Sequence, residues 1–442
     1  MVRNLNIKNG PLIKNIIVFA MPLVLSGIFQ LLFSAVDTMT IGRFLGSNYL
    51  AGIGATAPVI AFFSNSLIAF TYGVSVMVSR QIGEKRNHDA LEIVGIVLAF
   101  SLLLGIAIGV LGIAITPFML RVIDTPQEIS GLSEKYLRIY MMGMPFFLFY
   151  NFGSAIIRSF GNTVISLVYV AVSGLCNVVL DIVFIKLGLG IAGVAVATII
   201  SQFLSAVLVY IYIRRQGYIS DIRWEKSGAV ISEAFRLGFP AGMQTMLLSL
   251  SNIIIQDEIN KFGTTVIAGQ TVYMSLNGFL LAAINAVTQT SIIFVAQNDA
   301  ENNKHRVISA TAYCAVLSFV LGSGLGLLMF LFKDALCLPY TDSVEVIAVV
   351  KILMPICAIP YGLCGIMESL SGSVRGLGKA LSPTVMYLIG IGLFRILWIK
   401  IVLPEHNSIE GLFACYPVSW IVTSIFQLIL FCVIVGRKYN KQ

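Results

Sequence analysis

Long apolar runs alternate along this chain with short polar stretches. A sliding window of about 19 residues separates twelve of them, at roughly 15–41, 52–80, 92–115, 134–157, 164–186, 190–213, 236–260, 268–295, 307–331, 346–371, 384–403 and 411–435. About 20 residues of helix cross a bilayer, and a helix satisfies its own backbone in hydrocarbon. The two-residue alternation of a barrel strand is absent. The pattern predicts an all-α integral membrane protein with twelve transmembrane helices.

The longest polar stretch, RRQGYISDIRWEKSGAVISEAFR at 214–236, divides six spans from six. Its second part spaces Trp224, Val230, Ile231, Ala234 and Phe235 as an amphipathic helix lying along the membrane surface would; a plain solvated loop is the alternative. The expected organisation is an N-lobe over 1–213, a cytoplasmic linker over 214–236 and a C-lobe over 237–442.

The two halves also resemble one another. Leu50-Ala51-Gly52 recurs as Ile267-Ala268-Gly269, and Arg158-Ser159-Phe160-Gly161 recurs as Arg375-Gly376-Leu377-Gly378, both at an offset of 217. Ala20-Met21-Pro22 faces Gly238-Phe239-Pro240, and Gly190-Ile191-Ala192-Gly193 faces Ser408-Ile409-Glu410-Gly411, both at 218. An even number of spans per repeat makes both halves enter the membrane in the same sense. That predicts two six-helix lobes related by a parallel pseudo-two-fold repeat, an architecture of alternating-access transporters.

Composition narrows the class. The chain is 57% hydrophobic and 11% charged, with a mean hydropathy of +0.91, whereas soluble domains are about 25% charged. The net charge of +8 is spread over short loops. It reads as topogenic charge rather than as a nucleic-acid surface. With the N-terminus inside, nineteen Lys and Arg fall on the cytoplasmic side and nine on the outer side. N- and C-termini are therefore both expected in the cytoplasm of a multi-pass plasma-membrane protein. The seven cysteines form no CxxC pair, and the three histidines fall in expected loops. Nothing resembles a catalytic cluster, so an enzyme is not expected, and no cofactor is implied.

Two acids stand out. Asp37, in FSAVDTMTIG, is the only acidic residue between Ile7 and Gly83, and Asp181 lies in CNVVLDIVFI. A carboxylate at a helix centre costs about 2.5–3.5 kcal/mol on insertion scales. Asp37 lies six residues before Arg43, and Asp181 five before Lys186. At about 1.5 Å per residue the two share one layer, on the first and fifth spans. Asn177 is one turn before Asp181, and Thr198 on the sixth span lies at comparable depth. Two carboxyls, an amide and a hydroxyl can hold a hard cation or a shared proton. Asp37, Asn177, Asp181 and Thr198 are therefore an expected cation or proton site, with no other metal; carboxyls buried for packing alone are the alternative.

Gln30, two turns before Asp37, and Asn151, in FFLFYNFGS, suit the wall of a cavity; Glu368, opposite Asn151 in the repeat, suits a cationic substrate. Asp257 and Glu258, in QDEIN near the end of the seventh span, and Arg395, within the eleventh, are expected to form an ion pair or gate.

AMPLVLSGIFQLLFSAVDTMTIGRFLGSNYLAGIG, the RSFGNT and RGLGKA turns, and CNVVLDIVFIKLGLGIAGVAVAT resemble the multidrug and toxic compound extrusion (MATE) transporters over essentially the whole chain. The resemblance implies a two-lobe exporter that moves cationic and amphipathic drugs against H+ or Na+. The N-lobe cation site of the DinF-like branch falls on Asp37, Asn177, Asp181 and Thr198. The NorM-like branch has an acid early on its seventh helix, where this chain reads PAGMQTMLLSLSN, and another on its tenth, about one turn from Glu368. The expected activity is therefore secondary active multidrug antiport by a monomer in the lipid bilayer. The alternative is a lipid-linked oligosaccharide flippase of the same superfamily, which would need basic residues in its cavity.

Overall fold

The computed structural model describes residues 5, 7–219, 224–405 and 408–440, and every regular element among them is helical. The first half runs α1 (Leu12–Phe44), α2 (Ser47–Gly83), α3 (Asn87–Val122), α4 (Gln127–Met142), α5 (Met144–Ser159), α6 (Val164–Lys186) and α7 (Gly190–Arg215). The second half runs α8 (Ser227–Lys261), α9 (Thr264–Ala300), α10 (Lys304–Leu331), α11 (Lys333–Cys337), α12 (Val344–Leu353), α13 (Tyr361–Gly376), α14 (Leu381–Tyr387), α15 (Phe394–Leu397), α16 (Ile409–Phe413) and α17 (Cys415–Tyr439).

Among the described residues, nine helical runs are long and apolar enough to cross a membrane. Two bent pairs, α4–α5 at 48° and α12–α13 at 41°, each make one more span. These cover eleven of the twelve expected segments, and the remaining one, 236–260, lies inside α8. The bends have local causes. Pro145 opens α5 behind Gly143, Pro355 lies in a π turn at Met354–Ala358, and Pro360 follows it at the start of α13. A proline supplies no amide to the preceding turn, so the helix changes direction there. The amphipathic segment considered for the linker is helical from Ser227 onward, but it is continuous with the seventh span. Residues 220–223 and His406 lie outside the described residues. His88 and His305 sit in the first turns of α3 and α10 rather than in loops.

The repeat is visible residue by residue. α2 and α9 each contain 37 residues and start 217 positions apart. Gly46 and Gly263, which precede them, share φ 93°, and Lys85 and Asn302, which follow them, have φ 60° and 58°. Gly161 and Gly378 are also left-handed, at 87° and 76°. Such positions favour glycine because a side chain clashes there.

The chain divides into two compact units. Unit 1 is Leu5 with 28–238, and unit 2 is 7–27 with 239–440. This differs from the expected division at 214–236 in one respect. The first half of α1 counts with the later helices, and the first turns of α8 with the earlier ones. Each such segment is fastened at its start. In unit 2, the Arg306 guanidinium donates to the Ile7 carbonyl (2.9 Å), the Gly10 carbonyl (3.2 Å) and Asn298 Oδ1 (2.8 Å). In unit 1, Lys226, one residue before α8, donates to buried Glu92 at 2.8 Å.

Candidate functional site

In unit 1 the second half of α1 lies against α6 because Gly174 has no side chain. A Cβ there would stand 2.1 Å from the Phe33 ring, so the ring rests on the α6 backbone. One helical turn past Phe33 is Asp37, and two turns past Gly174 is Asp181. The close approach at Gly174 thus brings the two acids together. Their carboxyl groups lie within hydrogen-bond reach of each other. No donor group among the described residues reaches either oxygen of Asp181 or Oδ1 of Asp37, all three of which are buried. Two carboxylates in contact repel, so the pair is held only with a proton between them or a cation beside them.

Asn177 shares the buried face with Asp181, and its Nδ2 has no acceptor. Thr198 donates to Val194 of its own helix at 3.1 Å, leaving its oxygen free to accept. The expected coupling residues Asp37, Asn177 and Thr198 line one cavity of about 320 Å³, and Asp181 stands behind Asp37. Gln30 and Asn151 line the same cavity, Asn151 donating to Phe147 of its own helix at 2.8 Å. Phe33, Phe147, Tyr140 and Tyr150 supply broad aromatic walls. Among its described lining residues Asp37 is the only charged side chain.

Two tyrosines were missed from sequence. Tyr136 and Tyr140 stack along α4, with ring centroids 6.2 Å apart. Tyr136 lies close enough to feel both acids, and Tyr140 lines the cavity beside Gln202. Their spacing in KYLRIYMM, four residues on one helical face, was the available signal. Beyond the acids, Ile41 and Ile185, one turn further along α1 and α6, join Tyr136, Ile191 and Val194 in an apolar cluster that closes this end of unit 1.

Unit 2 differs from expectation at two places. Glu368 does not line the cavity that holds Gln30 and Asn151. It lies within unit 2, where the Tyr387 hydroxyl donates to its carboxyl. The ion pair expected between Asp257 or Glu258 and Arg395 is not formed. Both acids sit within one turn of Lys261, with Glu258 at 2.7 Å and Asp257 at 3.9 Å, and Asp257 is 77% exposed. Arg395 is buried deeper. Its Nε donates to Ser419 Oγ at 3.1 Å, its Nη1 to Asn252 Oδ1 at 3.4 Å, and its guanidinium covers the Tyr416 ring at 4.3 Å. Asn252 is five residues before Asp257, or about 7–8 Å along the helix, which puts the acids out of reach.

Comparison with known proteins follows the same division into halves. The MatE family model matches residues 22–183 and again 240–399. A probable multidrug resistance protein of Bacillus subtilis, YoeA, is 26% identical over 93% of this chain and 91% of its own length. The Vibrio cholerae MATE transporter VcmN, solved in a bent form, superposes with a TM-score of 0.88 at 20% identity, over 97% of this chain and 98% of VcmN. A Pyrococcus furiosus transporter of the MOP superfamily superposes with a TM-score of 0.91 at 18% identity, over 99% of this chain and 98% of that one. Its binding pocket is described as having reverse polarity, suggesting a different function for that protein. At such identities the two structures speak for the fold alone.

Proposed function

The chain belongs to the MatE family, the multidrug and toxic compound extrusion transporters, and on that premise we propose that it is a secondary active multidrug exporter, antiporting cationic and amphipathic drugs against H+ or Na+ by alternating access. It is a transporter and not an enzyme. The observation that carries the reading is the contact of Asp37 with Asp181 at the wall of an aromatic cavity that contains no base among its described lining residues. Aromatic walls and one carboxylate favour a flat or amphipathic cation. A flippase for a pyrophosphate-linked sugar would want the opposite charge, and the lining does not supply it.

Coupling follows from competition for one carboxylate. Asp37 faces both the cavity and Asp181. When H+ or Na+ occupies the pair, its negative charge is neutralised and a cationic drug loses its counter-charge. When the pair is empty, the drug is held. Exchange of one cation for the other across the plasma membrane is antiport. α1 is suited to report occupancy. Pro22 interrupts its backbone bonding, Ser26 Oγ donates back to the Pro22 carbonyl at 2.7 Å, and the segment beyond Gly27 carries Phe33 and Asp37. Repacking of Phe33 on Gly174 would accompany neutralisation of Asp37 and narrow the cavity, expelling the drug.

The test is efflux of ethidium from loaded cells at matched expression, comparing the parent with Asp37→Asn and Asp181→Asn. Sodium omission and a protonophore are applied separately. We expect both variants to lose efflux, and the parent to fail under one of the two treatments, which names the ion. Normal pumping by both variants would show the acids to be structural and refute the coupling site.

A further inference from the structure

The aromatic cavity of unit 1 has an uneven supply of hydrogen-bonding groups. Ser173 on α6 and Thr198 and Ser201 on α7 all line it. Ser173 Oγ stands 2.8 Å from the Tyr169 carbonyl oxygen, Thr198 Oγ1 3.1 Å from that of Val194, and Ser201 Oγ 2.8 Å from that of Ala197. A carbonyl oxygen carries no hydrogen, so each contact uses the hydroxyl proton. A hydroxyl has only that one proton, and here it is spent on the residue's own helix. What each presents to a ligand is a lone pair. Asn151 is oriented by the same logic: its Nδ2 donates to the Phe147 carbonyl at 2.8 Å, which fixes the amide and leaves Oδ1 as the accepting end. Asp37, when ionised, only accepts. Gln30, Gln202 and the tyrosines of the wall can each donate or accept, so they favour neither kind of ligand. The Nδ2 of Asn177 lacks an acceptor, but it is buried, so a ligand in the cavity does not meet it.

We propose, on the reading of this cavity as a drug site, that it selects among cations by their N–H groups. Protonated amines, amidinium and guanidinium groups bind in preference to fully alkylated ammonium and phosphonium ions. A cation with N–H donors pairs its charge with Asp37 and its hydrogens with Ser173, Thr198 and Ser201, all within one cavity of about 320 Å³. A fully alkylated cation meets the same charge, strips water from the same oxygens and returns no donor. An acceptor left dry and unpaired opposes binding.

The experiment titrates the purified full chain in detergent with two fluorescent acridinium dyes of equal charge. Proflavine has free amino groups, and in acridine orange those groups are dimethylated. Binding is read by anisotropy, which does not depend on ion coupling. Ser173→Ala combined with Ser201→Ala removes two acceptors at positions where alanine suits the helix. It should weaken proflavine by about two- to tenfold per oxygen removed, the range for a net hydrogen bond, and leave acridine orange unchanged. Asp37→Asn removes the charge and should weaken both dyes by the same factor. Partition into detergent is common to parent and variants and cancels between them. Equal weakening of both dyes by the serine variant, or unchanged proflavine binding, would overturn the proposal. Failure of the parent to bind either dye would overturn it together with the drug-site reading. The expected pattern in a parent whose efflux ignores both H+ and Na+ would uphold it and sink the coupling reading alone.

Discussion

Replacing Gly174 by alanine should disable the acid pair without touching either acid. The added Cβ would stand 2.1, 2.3 and 2.6 Å from three atoms of the Phe33 ring, whereas ordinary contact begins at 3.4 Å. The nearest ring atom must therefore retreat by about 1.3 Å, and overpacking of this kind costs about 1–3 kcal/mol. Two relaxations are open to it. Either α1 moves off α6 and separates Asp37 from Asp181, or the ring swings into the cavity that Phe33 lines. Both lower drug efflux, the first by breaking the pair and the second by filling the drug's space. Ethidium efflux at matched expression reads the functional loss, and thermal unfolding in detergent reads the strain. Phe33→Leu in the Gly174→Ala background removes the ring atoms that collide, so it should recover part of both. If Gly174→Ala unfolds and pumps like the parent, the glycine is not what seats α1 on α6. If the double variant recovers nothing, the strain lies elsewhere than at Phe33.

Other outcomes follow from the same contacts. Arg395→Lys places one ammonium where a planar guanidinium serves Ser419, Asn252 and the Tyr416 face together; losing part of that set should cost about 1–3 kcal/mol in detergent unfolding. Asp257→Asn removes a long, exposed contact to Lys261 and should leave both unfolding and efflux unchanged; a loss resembling that of Arg395→Lys would revive a link between the two residues. Arg306→Ala removes the donors that hold the Ile7 and Gly10 carbonyls, and trypsin should then cut at Lys8 and Lys14 faster than in the parent, whereas equal cutting rates would mean that other contacts hold the segment.

Hydrophobic periodicity located the spans because lipid imposes the same requirement on every one of them: about 20 residues of helix with the backbone bonded internally. It also exposed the repeat, whose turns need left-handed residues at fixed places, such as Gly161 and Gly378. Depth counting placed Asp37 and Asp181 in one layer, because rise per residue is nearly constant along a helix. What it could not supply was azimuth across helices. Tyr136 and Tyr140 lie on a span that bends by 48° at Gly143, and a bent span read as straight hides which face turns inward. The same limit misplaced Arg395. Repeat logic put it near the end of α8, yet the span that carries Arg395 is interrupted just before it by a π turn at Leu388–Leu393, and each extra residue rotates the side chains that follow.

The interruption also bears on why only one half carries the acid pair. At the repeat offset of 217, Asp37 corresponds to Ile254 and Asp181 to Trp398, while Arg395 takes the place of Val178. A cation held in the corresponding layer of unit 2 would meet a buried guanidinium rather than two carboxyls. Buried like charges repel strongly in low dielectric, so that layer excludes what unit 1 attracts. Arg395 is itself kept in lipid depth by neutral partners, Ser419, Asn252 and the Tyr416 ring, rather than by an acid. A fixed positive charge with neutral partners is not cancelled when protons or sodium arrive. The proposed site in unit 1, by contrast, would change charge with occupancy. The two halves keep one backbone plan and opposite electrostatics, and it is on that asymmetry, rather than on the fold, that the proposal of ion coupling at Asp37 and Asp181 rests.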